Sequence, residues 1–155
     1  MQPMSRSAVD AYAQVAVDVG VAAADPHKLV LMLFDGAIKA VYSAKVHMQG
    51  NDVALKGRFI SHAVAIIDEG LKPSLDENAG GDIARNLKDL YEYMCHRLIV
   101  ANLKNQVDAL DEVGGLLGEL RSAWEAIGKQ AQSAVVSVSE QQPPQQRAGI
   151  SYGKV

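Results

Sequence analysis

LVLMLFDGAIKAVY, residues 29–42, is the stretch that decides the fold of this chain. At helical spacing, Leu29, Met32, Leu33, Gly36, Ala37 and Ala40 form one apolar stripe, and Val30, Phe34, Ile38, Val41 and Tyr42 form a second. Asp25 is placed to cap a helix, and Pro26 falls at the first helical position, where its missing N–H is no loss. A helix apolar on two faces needs cover on both. That cover comes either from the chain itself or from a partner.

This first helix should run from about Pro26 to Gln49 and stop at Gly50-Asn51. Gly36 inside it costs about 1 kcal/mol relative to alanine, which a close helix contact would offset. A second helix is read from Asp52 or Val53 to Leu71, with Leu55, Phe59, Ala63, Ile66 and Gly70 on one stripe and Ile60, Val64, Ile67 and Leu71 on another. Lys72 to Gly81, with Pro73, Asn78 and the Gly80-Gly81 pair, reads as a loop, and Asp82 is placed to cap a third helix. That helix, from about Ile83 to Leu103, carries Ile83, Leu87, Leu90, Met94, Leu98 and Ala101 on one face. Lys104-Asn105-Gln106 separates it from a fourth, where Leu110, Val113, Leu117, Leu120, Trp124 and Ile127 alternate steps of three and four, the seam of antiparallel bundle packing. Gly114, Gly115 and Gly118 should loosen the middle of that helix.

The two ends have a different character. Residues 1 to about 11 read as a mobile lead-in. From Tyr12, Val15, Val17, Val19 and Val21 recur at every second position, an extended pattern with no second strand to pair with it. It predicts an extended or partly helical arm laid on the helices, one candidate cover for the first of them. After Gln130 the composition shifts to Ser, Gln and Pro, with QQPPQQ at 141–146, and reads as a disordered tail. The chain is therefore expected to be all-α: an N-terminal arm over 1–24, an antiparallel up-down four-helix bundle over 25–130, and a disordered C-terminal tail over 131–155.

A chain of 155 residues fits one domain, large enough to hide about 68–70% of its unfolded surface. Lys plus Arg total 15 against 18 for Asp plus Glu, so no basic field exists to recruit nucleic acid or an anionic membrane. Asp35 and Lys39 interrupt the longest apolar run, well short of the ~20 residues a membrane span requires, and the N-terminus lacks a signal-peptide core. The one cysteine, Cys95, rules out an internal disulfide or Cys-rich zinc site and suits a reducing cytoplasm. A soluble, cytoplasmic chain with a free, packed thiol is the expectation.

No catalytic or metal constellation is legible. Di-metal bundles need glutamates on facing helices, but the first helix has none, and Glu92 with His96 is the only close Glu–His pair. His27 falls in an opening turn, and His47, His62 and His96 fall on helix flanks. Cys95 and His96 are neighbours that diverge by about 100° on a helix, so they form no nucleophile–base pair. Gly80-Gly81 lacks the lysine and the preceding strand of a phosphate-binding loop. No metal, no cofactor and no enzymatic activity are expected. What remains is surplus apolar surface, the usual mark of an interaction site, and grooves between helices accept amphipathic partner helices. The alternative is a self-associating structural or adaptor bundle whose apolar first-helix face is a homodimer interface.

From about Ala11 to Ile127 the chain resembles the FliS-type flagellin export chaperones of bacteria. The resemblance is carried by AYAQV at 11–15, LVLMLFDG at 29–36, IIDEGL at 66–71, SLD at 74–76, NLKDLYEYM at 86–94, ANLKN at 101–105 and ELRSAW at 119–124. In this order and at these spacings the set is specific. It implies a cytosolic, non-enzymatic chaperone that binds the disordered C-terminal segment of flagellin. That segment would become helical as it wraps the bundle, be kept from premature polymerisation and be delivered to the flagellar type III export machinery. The resemblance also implies that Tyr12 lies near the apolar cargo groove and that Leu29, Leu33 and Phe34 sit on the helix it covers. Asn102 matches the asparagine of the family's Leu-x-x-Ala-Asn pattern. Adding the apolar stripes, the candidate partner-binding residues are Tyr12, Val15, Leu29, Met32, Leu33 and Phe34, together with Gly36, Tyr42, Tyr91, Leu98 and Asn102. Gly114, Gly115, Gly118 and the tail depart from the family's pattern.

Overall fold

The structure is a computed structural model that describes the backbone of residues 25–141 and the side chains of residues 25–130. The arm over 1–24, with Tyr12 and Val15, lies outside the described residues, as does the tail from residue 142. Four helices make up the described chain: α1 (Pro26–Gln49), α2 (Val53–Ile66), α3 (Glu77–Lys104) and α4 (Val107–Gln141). Among the described residues there is no strand. The chain divides into one compact unit that ends at Arg121 and a second that begins at Ser122. The first unit holds α1, α2, α3 and the opening part of α4.

Capping chemistry sets the helix starts. Asp25 accepts from the backbone N–H groups of His27 and Lys28 at 3.1 and 3.2 Å, with Pro26 opening α1. Asn51 turns the chain at φ 59, and Asp52 then caps α2 by accepting from the Leu55 N–H at 3.1 Å. α2 runs on into a π-helical turn over Ile67–Leu71 and a single 3-10 turn over Lys72–Ser74. Pro73 supplies no N–H there and helps to end the helix.

Between the second and third helices the structure departs from the sequence expectation. Asp76 caps an additional helical turn ahead of the expected helix, accepting from the Asn78 and Ala79 N–H groups at 3.1 Å each. α3 therefore opens at Glu77 with a short turn that Gly81, whose φ of 56° and ψ of −129° belong to glycine alone, divides from the long helix beyond it, close to the expected start at Ile83. The helix ends at Asn105, left-handed at φ 53°, ψ 50°. α4 continues to Gln141, past the end expected near Gln130. Ala131, Ala134, Val135 and Val138 keep helical spacing through a Ser- and Gln-rich stretch, and Pro143-Pro144 follows as the stop signal.

Neighbouring helices of the first unit run antiparallel. Leu33 of α1 packs at Gly70, while His47 stacks on Phe59 at 5.4 Å, so α1 and α2 run in opposite senses. Between α1 and α4, Lys45 pairs with Asp111 at 2.8 Å and Asp35 with Arg121 at 2.5 Å. Lys56 near the start of α2 meets Asn105 after the end of α3, while Lys72 meets Glu92. α3 and α4 follow each other across a short turn, with Tyr93 and Arg97 both bonded to Glu112 at 2.6 and 2.8 Å. These contacts close an up-down-up-down bundle.

The chain itself covers part of each stripe of α1. Leu33 of the first stripe faces Gly70, where a Cβ would sit 3.0 Å from its Cδ2. Val41 of the second faces Gly114 of α4. The core around them holds Ile66, Ile67, Leu71, Met94, Leu98, Leu110, Val113 and Leu117, all essentially fully buried. Each such aliphatic side chain contributes about 1.5–3 kcal/mol. On α1 only Tyr42 and Val46 remain exposed as large apolar groups.

Two glycine substitutions separate backbone strain from helix propensity. Gly81→Ala should lower stability by about 1–2 kcal/mol although nothing lies within 4 Å of its new Cβ, because an L-residue is strained at that φ. Gly115→Ala, also with nothing within 4 Å, should raise stability by up to about 1 kcal/mol. Urea denaturation midpoints of the two variants give the comparison.

Candidate partner-binding groove

Where α2 and α3 lie side by side, their outer edges leave an open groove of about 320 Å³. Ile60, Ser61, Val64 and Ala65 line it from α2, and Asp68 and Glu69 line it from the π-helical turn. Ile99, Asn102 and Leu103 line it from α3. Ile99 is 50% exposed and Leu103 76%, an unusual exposure for two large aliphatic residues one turn apart.

One end of this groove is fixed by a buried lysine. Lys56 is only 5% exposed, and its ammonium donates to the backbone oxygen of Asn102 at 3.0 Å and to Asn105 Oδ1 at 2.8 Å. The last carbonyls of a helix have no partner within it, and a cation there also complements the helix dipole. Lys56 therefore ties the end of α3 to the start of α2. A Cβ on Gly57 would lie 3.8 Å from Asn102 Nδ2, so the Asn102 side chain rests over α2 at this end. Asn105 ends the helix; Asn102 lines the groove.

The other end is charged. Lys72 sits between Asp68 at 2.8 Å and Glu92 at 3.4 Å, and its hydrogen bond to Asp68 holds its pKa above the ordinary lysine value. Cys95 is half-buried beside α2, its Sγ 3.9 Å from the Val64 carbonyl oxygen. Burial, assisted by the Asp68 charge, pushes the thiol from 9.0 up to about 11. It is a packing group, not a nucleophile.

The residues singled out from the sequence are distributed unevenly. Asn102 lines the groove. Leu98 is fully buried, and Tyr91 is buried with its phenol pushed up to about 12 by desolvation. Leu33 and Phe34 lie in the core; Leu29, Met32 and Gly36 are half-buried on α1; Tyr42 is exposed. Sequence reasoning passed over Ile99, Leu103 and Lys56. A signal existed for each. Ile99 and Leu103 repeat at i, i+4 beside the buried stripe of α3, and Lys56 stands in register with the apolar positions Ile60, Ala63 and Ile67.

Among the described residues no group of three or more His, Cys, Asp or Glu side chains is arranged to hold a metal ion. No described helix is long and apolar enough to cross a membrane.

The sequence profile of the family described as "Flagellar protein FliS" matches residues 8–131. The chain belongs to the FliS family. The match takes in α1, α2 and α3 entirely, so the groove is part of the FliS region. The flagellar secretion chaperone FliS of Salmonella typhimurium is 48% identical over 125 residues, covering 81% of this chain and 93% of the relative. That of Escherichia coli is 44% identical over 114 residues, 74% and 84% of the two chains. The flagellar secretion chaperone FliSB of Pseudomonas aeruginosa is 40% identical over 120 residues, 77% and 94% of the two chains.

Two measurements probe this geometry. Lys56→Met keeps the aliphatic stem but strands two acceptors, and should cost about 1.5–3 kcal/mol in urea unfolding. With its pKa raised from 9.0 to about 11, Cys95 should hold about a hundredfold less thiolate at neutral pH than an ordinary thiol. Its alkylation should accelerate as the pH approaches 11 or on unfolding.

Proposed function

We propose that this FliS-family chain is a cytosolic, non-enzymatic export chaperone. It binds the disordered C-terminal segment of flagellin, prevents premature polymerisation and assists delivery to the flagellar type III secretion apparatus. The observation that carries the reading is the open groove between α2 and α3, with Ile99 and Leu103 exposed on a helix whose other stripe is buried. The relatives named flagellar secretion chaperones support it.

The chemistry is that of coupled folding and binding. A disordered segment loses conformational freedom as it docks, at a cost of about 2–5 kcal/mol, and recovers it by burying apolar side chains. An amphipathic helix with anchors at i, i+3, i+4 and i+7 fits a groove walled by two helices. A segment held as a helix against this protein is unavailable to its own polymer. Leu29, Met32, Gly36 and Tyr42 extend the proposed contact surface along α1, while Leu33, Phe34, Tyr91 and Leu98 give the bundle its shape beneath. Tyr12 and Val15 complete the proposal as the resting cover. The net charge of −3 gives nucleic acid no purchase.

Calorimetric titration with a flagellin C-terminal peptide should show saturable binding with a negative heat-capacity change. Absence of binding at micromolar concentrations contradicts the proposal, as does light scattering that finds a stable dimer blocking the peptide. Leu103→Glu and Ile99→Glu should each weaken binding by about tenfold or more. Their thermal midpoints should shift little, since exposed substitutions usually cost under about 0.5 kcal/mol.

A further inference from the structure

An apolar groove fixes how deep a helix docks but not which way round it lies. An amphipathic helix presents an apolar stripe in either direction. This groove differs in charge at its two ends, and the difference bears on its occupant if it is the site proposed above. Asp68 and Glu69 stand at the end formed by the π-helical turn. Lys72 is engaged by Asp68 and Glu92, and Glu69, half-buried at the rim, makes no ion pair among the described residues. At the opposite end Arg58 precedes the lining residues Ser61 and Ala65 of α2 by three and seven positions, on the same helix face. Arg58 is exposed and without an ion pair among the described residues. Lys56 adds a buried ammonium at this same end.

We infer that the groove selects an amphipathic helix with its charges ordered along its length. A lysine or arginine of the occupant lies against Glu69 and Asp68, and an aspartate or glutamate lies toward Arg58. Apolar anchors fill the space between, over Val64 and Ile99. Glu69 is the specificity-determining residue, because its carboxylate borders the apolar floor with no cation of its own. A helix docked in the reverse sense sets like charges together at both ends, which disfavours that orientation. Arg58 and Glu69 are separated along α2 by roughly 16 Å, about three helical turns at 1.5 Å per residue, and the occupant's opposite charges share that spacing.

The test titrates the full-length protein and its Glu69→Lys, Glu69→Gln and Leu103→Glu variants with a flagellin C-terminal peptide, at low salt and at about 0.5 M salt. Glu69→Lys should weaken binding by about tenfold at low salt and Glu69→Gln by about two- to threefold, both effects shrinking at high salt. In a peptide series with each lysine or arginine changed in turn to glutamate, one member should regain affinity for Glu69→Lys. Leu103→Glu should weaken binding at both salt concentrations. If Leu103→Glu weakens binding and Glu69→Lys stays within twofold of the unaltered protein, the charge ordering is wrong and the groove reading stands. If the Glu69→Lys loss is restored by no peptide, the ordering is likewise overturned. If Leu103→Glu also has no effect, the groove is not the site and the inference falls with it.

Discussion

The double-sided burial of α1 is the constraint on which the other helices depend. One of its stripes meets α2 where Leu33 packs at Gly70, and the other meets α4 where Val41 packs at Gly114. A glycine stands at each of these contacts, and α1 thereby has a packed neighbour on two sides. Ion pairs of α1 with α4, Asp35 to Arg121 and Lys45 to Asp111, fix the antiparallel register without being needed for burial. With α2 and α4 committed to α1, α3 closes the ring through the stripe that includes Met94, Leu98 and Ala101. Its next stripe, Ile99 and Leu103, has no helix left to cover it.

That leftover stripe makes a groove because α3 is held firmly at its end. A buried lysine is costly unless its charge is met by hydrogen bonds, and Lys56 has two, to Asn102 and Asn105. The bond to the Asn102 backbone oxygen also satisfies an acceptor of the kind that the end of any helix leaves open. The Asn102–Leu103 wall is therefore set before a partner arrives. Preorganisation of this kind matters most when the partner is disordered, since the partner already carries the ordering cost. Under the proposed function stability and binding share one polar contact, since the bonds that finish α3 also place Asn102 on the groove.

The sequence made the architecture legible because its signals were local and periodic. Asp25 caps as its place before Pro26 indicates, and Leu33, Ala37, Ala63, Ile66, Leu110, Val113 and Leu117 of the expected stripes reappear in the core, while Ile127 at the end of the α4 seam is exposed. Asp76 was harder to read because a polar loop composition masked an ordinary cap, with the kink at Gly81 following it. The end of α4 was obscured in the same way, composition hiding a helical spacing that continues to Gln141. The site was only partly legible. Sequence stripes show how much apolar surface a helix has, but not which stripe a neighbour takes; α1 carried the greatest excess, and of its large apolar residues only Tyr42 and Val46 are exposed. The surplus emerges instead on α3, through a three-dimensional competition for partners that periodicity alone does not encode. Asn102, singled out through its motif, lines the groove, whereas Lys56 looked like any surface lysine until its ammonium was seen between two asparagines.

The most direct test of the central claim is a methyl-resolved NMR titration of the protein with an unlabelled flagellin C-terminal peptide. The account predicts saturable shifts at Ile60, Val64, Ile99 and Leu103, with the peptide becoming helical in the same concentration range. Shifts confined to α1 around Val46, with the four groove methyl groups unmoved at saturation, would contradict it.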